Sequence, residues 1–319
     1  MTTPATTTQF NTPLSAIPGR RVLITGVHGF TGHYLAQALR AAGYTVFGVT
    51  GPHKGGTSTG ADELVADLTD RLAAAAAVEW AAPDYVVHLA AIAFVDHNDA
   101  AQMYRTNIIG TRNLLEALSG RKPRAVLLAS SANVYGNSLV EPITEQVAPA
   151  PANDYAVSKL AMEHMARLWF DRLPITLVRP FNYTGVGQSE NFLLPKIVAH
   201  YRRRAATIEL GNLDVARDFS DVRDVVRVYQ ALLEANLPGE TFNICSGQTY
   251  SLSDALALMA EIAGYVIEVK VNPQFVRANE VKRLVGSDAH LQQYLVETSG
   301  KTPRIALRDT LRWMWQAKA

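Results

Sequence analysis

Three glycines at three-residue spacing, in Thr25-Gly26-Val27-His28-Gly29-Phe30-Thr31-Gly32, stand between a short apolar run (20–24) and a stretch of helical periodicity (31–42). Few structures accept that arrangement. A turn this tight uses backbone angles that only glycine adopts without strain, and a chain lacking Cβ atoms lets a ligand approach the main chain. The helix that follows directs its first N–H groups and the positive end of its dipole at the turn, which suits a pyrophosphate. Glycine triplets also occur in ordinary turns. The position directly after the first apolar run makes this one read as a dinucleotide-binding strand-to-helix turn.

The alternation continues downstream. Residues 45–49, 85–89 and 125–129 are further apolar runs with helical pattern around them; the first helix places Leu35, Ala38 and Leu39 on one face and stops at Gly43. Strands separated by helices of this length pair in parallel and are covered on both faces. Right-handed crossovers then favour the doubly wound order. The predicted class is α/β: a Rossmann-type doubly wound parallel sheet with a smaller C-terminal substrate-binding lid. After about residue 179 the pattern breaks at Gly185, Gly187 and Pro195, 180–212 is mixed, 240–244 reads as a late strand and 252–262 as a helix. The expected division is a mobile tail over 1–19, a nucleotide-binding domain over 20–180 with 214–247, and a smaller domain over 181–213 with 248–319.

Composition narrows the partners. Lys plus Arg number 30 against 29 for Asp plus Glu, so no field attracts nucleic acid or an anionic membrane, and neither is expected. Cys245 is the single cysteine, which excludes an intramolecular disulfide and a multi-cysteine metal site and fits a reducing cytoplasm. No stretch reaches the ~18 consecutive apolar residues of a membrane helix, and the Thr- and Pro-rich start lacks the basic and apolar regions of a secretory signal. No cluster of His, Asp and Glu has metal-ligand spacing, so no metal is expected. His28 and His88 read as structural or cofactor-lining, and Leu168, Trp169 and Phe170 as core.

Two further patterns bear on chemistry. The carboxylate that holds an NAD ribose sits about 20 residues beyond the glycine turn; here that stretch reads Val49-Thr50-Gly51-Pro52-His53-Lys54, without an acid. Nothing there repels a 2′-phosphate, and His53 and Lys54 could pair with one, so NADPH is the expected cofactor and NADH the alternative. Tyr155 and Lys159, four apart at the start of a helical stretch, share one helix face. A neighbouring ammonium should lower the phenol's pKa and ready it for proton exchange with a carbinol or carbonyl. Ser131, just past the apolar run at 125–129, is placed to hold the same oxygen, though Ser130 or Ser131 could equally cap a turn.

These stations occur in order from residue 21 to the end, together with His88-Leu89-Ala90-Ala91, Asn107 in 106–111, Ser130 to Gly136, Arg179-Pro180-Phe181-Asn182, Arg217-Asp218-Phe219 and Asn243-Ile244-Cys245-Ser246-Gly247. In that order they resemble the extended short-chain dehydrogenase/reductases, which include epimerases, dehydratases and reductases of nucleotide sugars. The resemblance implies roles residue by residue. Gly26, Gly29, Phe30 and Gly32 would hold the cofactor pyrophosphate, Asp67 and Leu68 would lie near the adenine, and Leu89, Ala90, Ala91 and Asn107 would line the groove. Ser131, Tyr155 and Lys159 would be catalytic, the last two also touching cofactor. Asn133, Asn182, Lys196 and Arg217 would bind substrate, Arg217 pairing with its diphosphate, and Arg277 and Glu280 would lie near its nucleoside ribose. A homodimer is implied as well.

One departure narrows the reaction. Dehydratases of the resembled family carry a glutamate base at the position of Asn133, and an amide cannot replace it. A reductase or a 4-epimerase remains. The downstream blocks are most similar to reductases of GDP-linked 4-keto-6-deoxy sugars, which implies NADPH reduction of GDP-4-dehydro-6-deoxymannose at C4 to GDP-rhamnose. A 4-epimerase retaining NAD, and a non-catalytic NAD(P)-sensing protein, are the alternatives.

Overall fold

The computed structural model describes residues 20–52, 62–93, 99–275, 282–299 and 304–317. The tail expected over 1–19, and His53, Lys54, Arg277 and Glu280, lie outside the described residues. Seven parallel strands form the main sheet: β1 (Arg20–Thr25), β2 (Tyr44–Thr50), β3 (Glu63–Val65), β4 (Tyr85–His88), β5 (Ala125–Ala129), β6 (Ile175–Pro180) and, after three strands that lie elsewhere, β10 (Thr241–Ile244). Their spatial order is β10-β6-β5-β4-β1-β2-β3. The order reverses between β1 and β4, which opens a crevice at the strands' C-terminal ends, and ligands bind there in such sheets.

Strict alternation along the strands builds two cores. Val22, Ile24, Val87, Leu127 and Phe242 face one side and pack on α1 (Phe30–Ala41), α7 (Val222–Ala235) and α9 (Ala289–Ser299). Leu23, Val86, Val126, Leu128 and Leu177 face the other and pack on α2 (Arg71–Ala81), α4 (Thr111–Ser119) and α5 (Asp154–Arg167). Period-2 burial on both faces is what a sheet sandwiched by helices requires. Trp169 and Phe170 join the second core, but Leu168 is 77% exposed. It follows the last turn of α5, where the chain leaves the sheet, so the reading of Leu168 as core is corrected.

The smaller lobe grows from the segment that reads as mixed in sequence. It contains α6 (Leu193–Arg202), α8 (Leu252–Ala263) and α10 (Leu307–Gln316), packed around Leu194, Tyr201, Met259 and Leu311. β9 (Ala216–Asp221) pairs with β7 (Asn182–Thr184), β11 (Thr249–Ser251) and β13 (Arg283–Leu284), and β8 (Thr207–Leu210) pairs with β12 (Glu268–Val271). Residues 216–221 therefore belong to the smaller sheet, while α7 and β10 return the chain to the large one.

Candidate active site

The glycine turn is packed as tightly as its sequence implies. Gly26 has φ +73°, and a Cβ there would meet Ala90 N at 2.9 Å; a Cβ on Gly32 would lie 2.2 Å from Gly26 O. Gly29 starts α1 with no side chain capping the first turn, so that turn's N–H groups face the crevice uncapped, as a pyrophosphate site needs. Leu89, Ala90 and Ala91, half-buried at the end of β4, form the floor beside it. The residues present fit a dinucleotide. His28 in the turn pairs with Glu63 of β3 at 2.9 Å, which brings to the turn a carboxylate absent from the β2 end.

A hydrogen-bonded chain holds β1, β4 and α4 together. Ala90 N–H donates to Thr25 Oγ1 at 3.2 Å, and Thr25 Oγ1 lies 2.6 Å from His88 Nδ1. On the other side His88 Nε2 lies 2.8 Å from Thr111 Oγ1, which donates to Asn107 O at 2.7 Å. Thr111 has given its proton away, so His88 Nε2–H donates to it, and in a neutral imidazole Nδ1 then accepts from Thr25. Burial, helped by Lys159, holds the His88 pKa down to about 3. As pH falls through the ordinary value near 6.5, the unfolded chain takes up a proton that the folded one refuses until about pH 3. His88 therefore lowers stability progressively across that window. Melting temperature measured from neutral pH to pH 4 should fall less steeply in His88→Gln than in the parent.

Asn107, expected in the cofactor groove, has another use. It sits on a π-helical turn (Arg105–Gly110). Its Oδ1 accepts from Ile92 N at 2.8 Å and its Nδ2 donates to Ile92 O and Ser158 Oγ, with Ser158 Oγ donating on to Tyr155 O. Asn107 thus fixes the groove wall to the first turn of α5. Asp67 accepts from Thr69 N and Oγ1, while Leu68 O is held by Asn113. Phe30 stacks on Tyr183, ring centroids 6.0 Å apart, and Thr31 Oγ1 lies 2.7 Å from the Tyr183 hydroxyl. Sequence reasoning missed Thr31 and Tyr183, which join the turn to β7 across 152 residues.

Ser131, Tyr155 and Lys159 converge at the exit of β5. Asn153 caps α5 by accepting from Ala156 N at 2.9 Å, which places Tyr155 in the first turn. Ser131 starts a 3-10 turn (Ala132–Tyr135), accepting from Asn133 N at 3.2 Å, and lies close enough to the Tyr155 hydroxyl to favour its ionised form. The capping reading of Ser131 is the one seen in this turn. The expected lowering of the Tyr155 pKa does not: burial pushes it up to about 12, nearby Tyr183 adds to the rise, and only Ser131 opposes. Lys159 directs its ammonium to Ala129 O at 2.6 Å, and burial holds its pKa down to about 8 against the pull of Glu163. Desolvation outweighs the helix-face attraction that spacing alone suggests.

The substrate-side residues fall into two groups. Asn182 of β7 pairs in register with Phe219 of β9, two residues beyond Arg217, so Asn182 and Arg217 lie on one face of the smaller sheet. Asn182 Nδ2 is buried with no hydrogen-bond partner, a donor oriented for something further. Arg217 is buried, and its Nη1 donates to Ala216 O and Lys282 O. Lys196 instead donates to Glu209 O at 2.7 Å and lies over the Phe275 ring at 4.2 Å.

A parallel sheet with its glycine cradle at the strand-order reversal, and a Ser-Tyr-Lys set at the same edge, define a dinucleotide-dependent α/β enzyme. The family model for the NAD dependent epimerase/dehydratase family matches residues 22–245, and the chain belongs to that family. It is 37% identical over 278 residues to the GDP-6-deoxy-D-talose 4-dehydrogenase of Aggregatibacter actinomycetemcomitans, covering 86% of this chain and 91% of that one. It is 34% identical over 306 residues to the GDP-6-deoxy-D-mannose reductase of Pseudomonas aeruginosa, covering 92% and 95%. The structure of RMD from Pseudomonas aeruginosa complexed with NADPH superposes with a TM-score of 0.79 at 32% identity, covering 92% of this chain and 97% of that one. Among the described residues no helix is long and apolar enough to cross a membrane, and no group of His, Cys, Asp and Glu could hold a metal ion.

Proposed function

We propose that this protein reduces the C4 keto group of a GDP-linked 4-keto-6-deoxy sugar with NADPH. The observation that carries the reading is the placement of Tyr155, in the first turn of α5 at the exit of β5, beside the crevice that the glycine turn lines. A phenol held near pKa 12 stays protonated at neutral pH, as a proton donor to a new alkoxide must. The two GDP-sugar relatives point to the nucleotide, and the NADPH-bound relative to the cofactor.

The glycine turn of Gly26, Gly29 and Gly32 would hold NADPH, which when bound would supply the hydride for the carbonyl carbon. Tyr155 gives its hydroxyl proton to the C4 oxygen, which Ser131 also holds. Lys159 contributes positive charge beside the phenol and favours transfer of its proton. Asn182 and Arg217, on one strand face, take the sugar diphosphate; the smaller lobe thus carries substrate and the large sheet cofactor. The same reading includes a homodimer, for which Ile109 and Val157, 43% and 39% exposed on adjacent helical segments, supply apolar surface.

NADPH absorbance followed with GDP-4-dehydro-6-deoxymannose and its dTDP counterpart tests the reading: stoichiometric oxidation with the GDP sugar supports it. No oxidation with either, and NAD that co-purifies without exchanging, would replace it with a 4-epimerase. The reaction also needs Lys159 charged. Its activity should therefore be full below about pH 8 and fall as pH rises through that value, with Tyr155, near 12, adding no limb in that range. A kcat/KM profile from neutral to alkaline pH checks this.

A further inference from the structure

We propose that Glu163 and Arg179 form a buried positioning pair for this reduction, acting on Lys159 through charge and on Ser131 through the segment that carries it; the proposal rests on the reductase reading above. Tyr155, Lys159 and Glu163 are spaced four apart on α5 and form one stripe. The stripe meets three consecutive residues at the exit of β5. Lys159 Nζ donates to Ala129 O at 2.6 Å, Ser130 Oγ donates to Glu163 Oε1 at 2.5 Å, and Ser131 lies beside the Tyr155 hydroxyl. Ser130, which the reaction itself does not use, thereby ties the strand exit to Glu163.

Arg179 of β6 completes the grip. Its Nε donates to Glu163 Oε1 at 2.9 Å and its Nη2 to Oε2 at 2.6 Å, while its Nη1 donates to Tyr135 Oη at 2.8 Å. Tyr135 Oη donates in turn to Asn243 Oδ1 at 2.8 Å, and Asn243 Nδ2 to Ile143 O at 3.0 Å. Ser130 and Tyr135 bracket the short turn that carries Ser131 and Asn133. The ion pair therefore holds both ends of that turn.

Glu163 is 0% exposed and Arg179 3%. Taking both charges out of water is a poor route to stability compared with apolar packing, so a role in arranging the site accounts better for the pair. Its electrostatic side is equally local. The groups acting on or facing Lys159 are the carboxylate of Glu163 on its own helix, the carbonyl of Ala129 on β5, and His88 on β4, which is neutral. Glu163 is the charge that favours the ammonium against burial.

The test compares three variants of the full chain. Glu163→Gln keeps the shape and removes the charge. It should move the alkaline limb of kcat/KM down by about one pH unit and lower kcat about tenfold, with the KM for the nucleotide sugar within about twofold. Ser130→Ala keeps the charge and frees one end of the turn; kcat should fall about tenfold with the limb in place, and the lost hydrogen bond to a buried carboxylate should lower the melting temperature modestly. Arg167→Ala removes two 3.5 Å contacts of a partly exposed side chain, to Glu163 and to Thr241 Oγ1, and should change neither kcat nor the limb. The pH dependence of NADPH binding, read by fluorescence without sugar, should show the same downward displacement in Glu163→Gln. That readout separates failure of this proposal from failure of the reductase reading, which would show as a parent protein inactive on the sugar. A limb unmoved in Glu163→Gln overturns the proposal. If that variant does not fold, parental kcat in Ser130→Ala overturns it.

Discussion

Replacing Tyr155 with Phe is expected to lower kcat by about 10²- to 10⁴-fold, the usual range for removing a positioned general acid. The substitution deletes one hydroxyl, close to Ser131, and leaves the ring in place. NADPH affinity and melting temperature should therefore stay near those of the parent, which separates a chemical defect from a folding defect. Stopped-flow single turnovers with a confirmed substrate give the comparison. Turnover near the parental rate would show that the proton comes from elsewhere, and Tyr183, close enough to oppose ionisation of Tyr155, would be the next phenol to substitute.

The second large effect is expected at Gly32. An added methyl there would lie 2.2 Å from Gly26 O and 2.8 Å from both Val27 Cα and Val27 O. These are main-chain atoms of the cradle itself, so no side chain can swing aside. Gly32→Ala should cost about 1–3 kcal/mol of stability through overpacking, and displacement of the turn should weaken NADPH binding by about tenfold or more, equivalent to about 1.4 kcal/mol. Gly120→Ala is the control: a Cβ there meets nothing within 4 Å, and neither quantity should change. Calorimetric titration with NADPH and thermal melts of both variants check this. Parental affinity in Gly32→Ala would remove the pyrophosphate from this turn.

Local features carried most of what could be read from the chain. The glycine turn, β1 and the Tyr155–Lys159 spacing are legible because each is decided by neighbours within about one helix turn, where steric and periodic rules hold. The late strand at 240–244 and the helix at 252–262 appear as β10 and α8 for the same reason. The smaller sheet did not show itself, since β7, β9, β11 and β13 are two to six residues long and pair across large separations. The site's finer chemistry was hidden in the same way. Lys159 and Tyr155 share a face as their spacing predicts, yet burial sets both pKa values in directions that spacing cannot give. Asn107 looks like a groove residue in sequence, and only the fold shows its amide bound to Ile92 and Ser158. Glu163 and Arg179 are 16 residues apart, with no local signal that a β6 arginine will reach the back of α5.

The most direct test of the account follows the hydride itself. NADPH carrying deuterium at the transferable position, incubated with the GDP-linked 4-keto-6-deoxy sugar, should give a product with one deuterium at C4 by NMR and a stoichiometric yield of NADP. A product with no deuterium at C4, formed without net NADPH consumption, would contradict reduction at C4 and with it the assignment of Tyr155 as the proton donor to that oxygen.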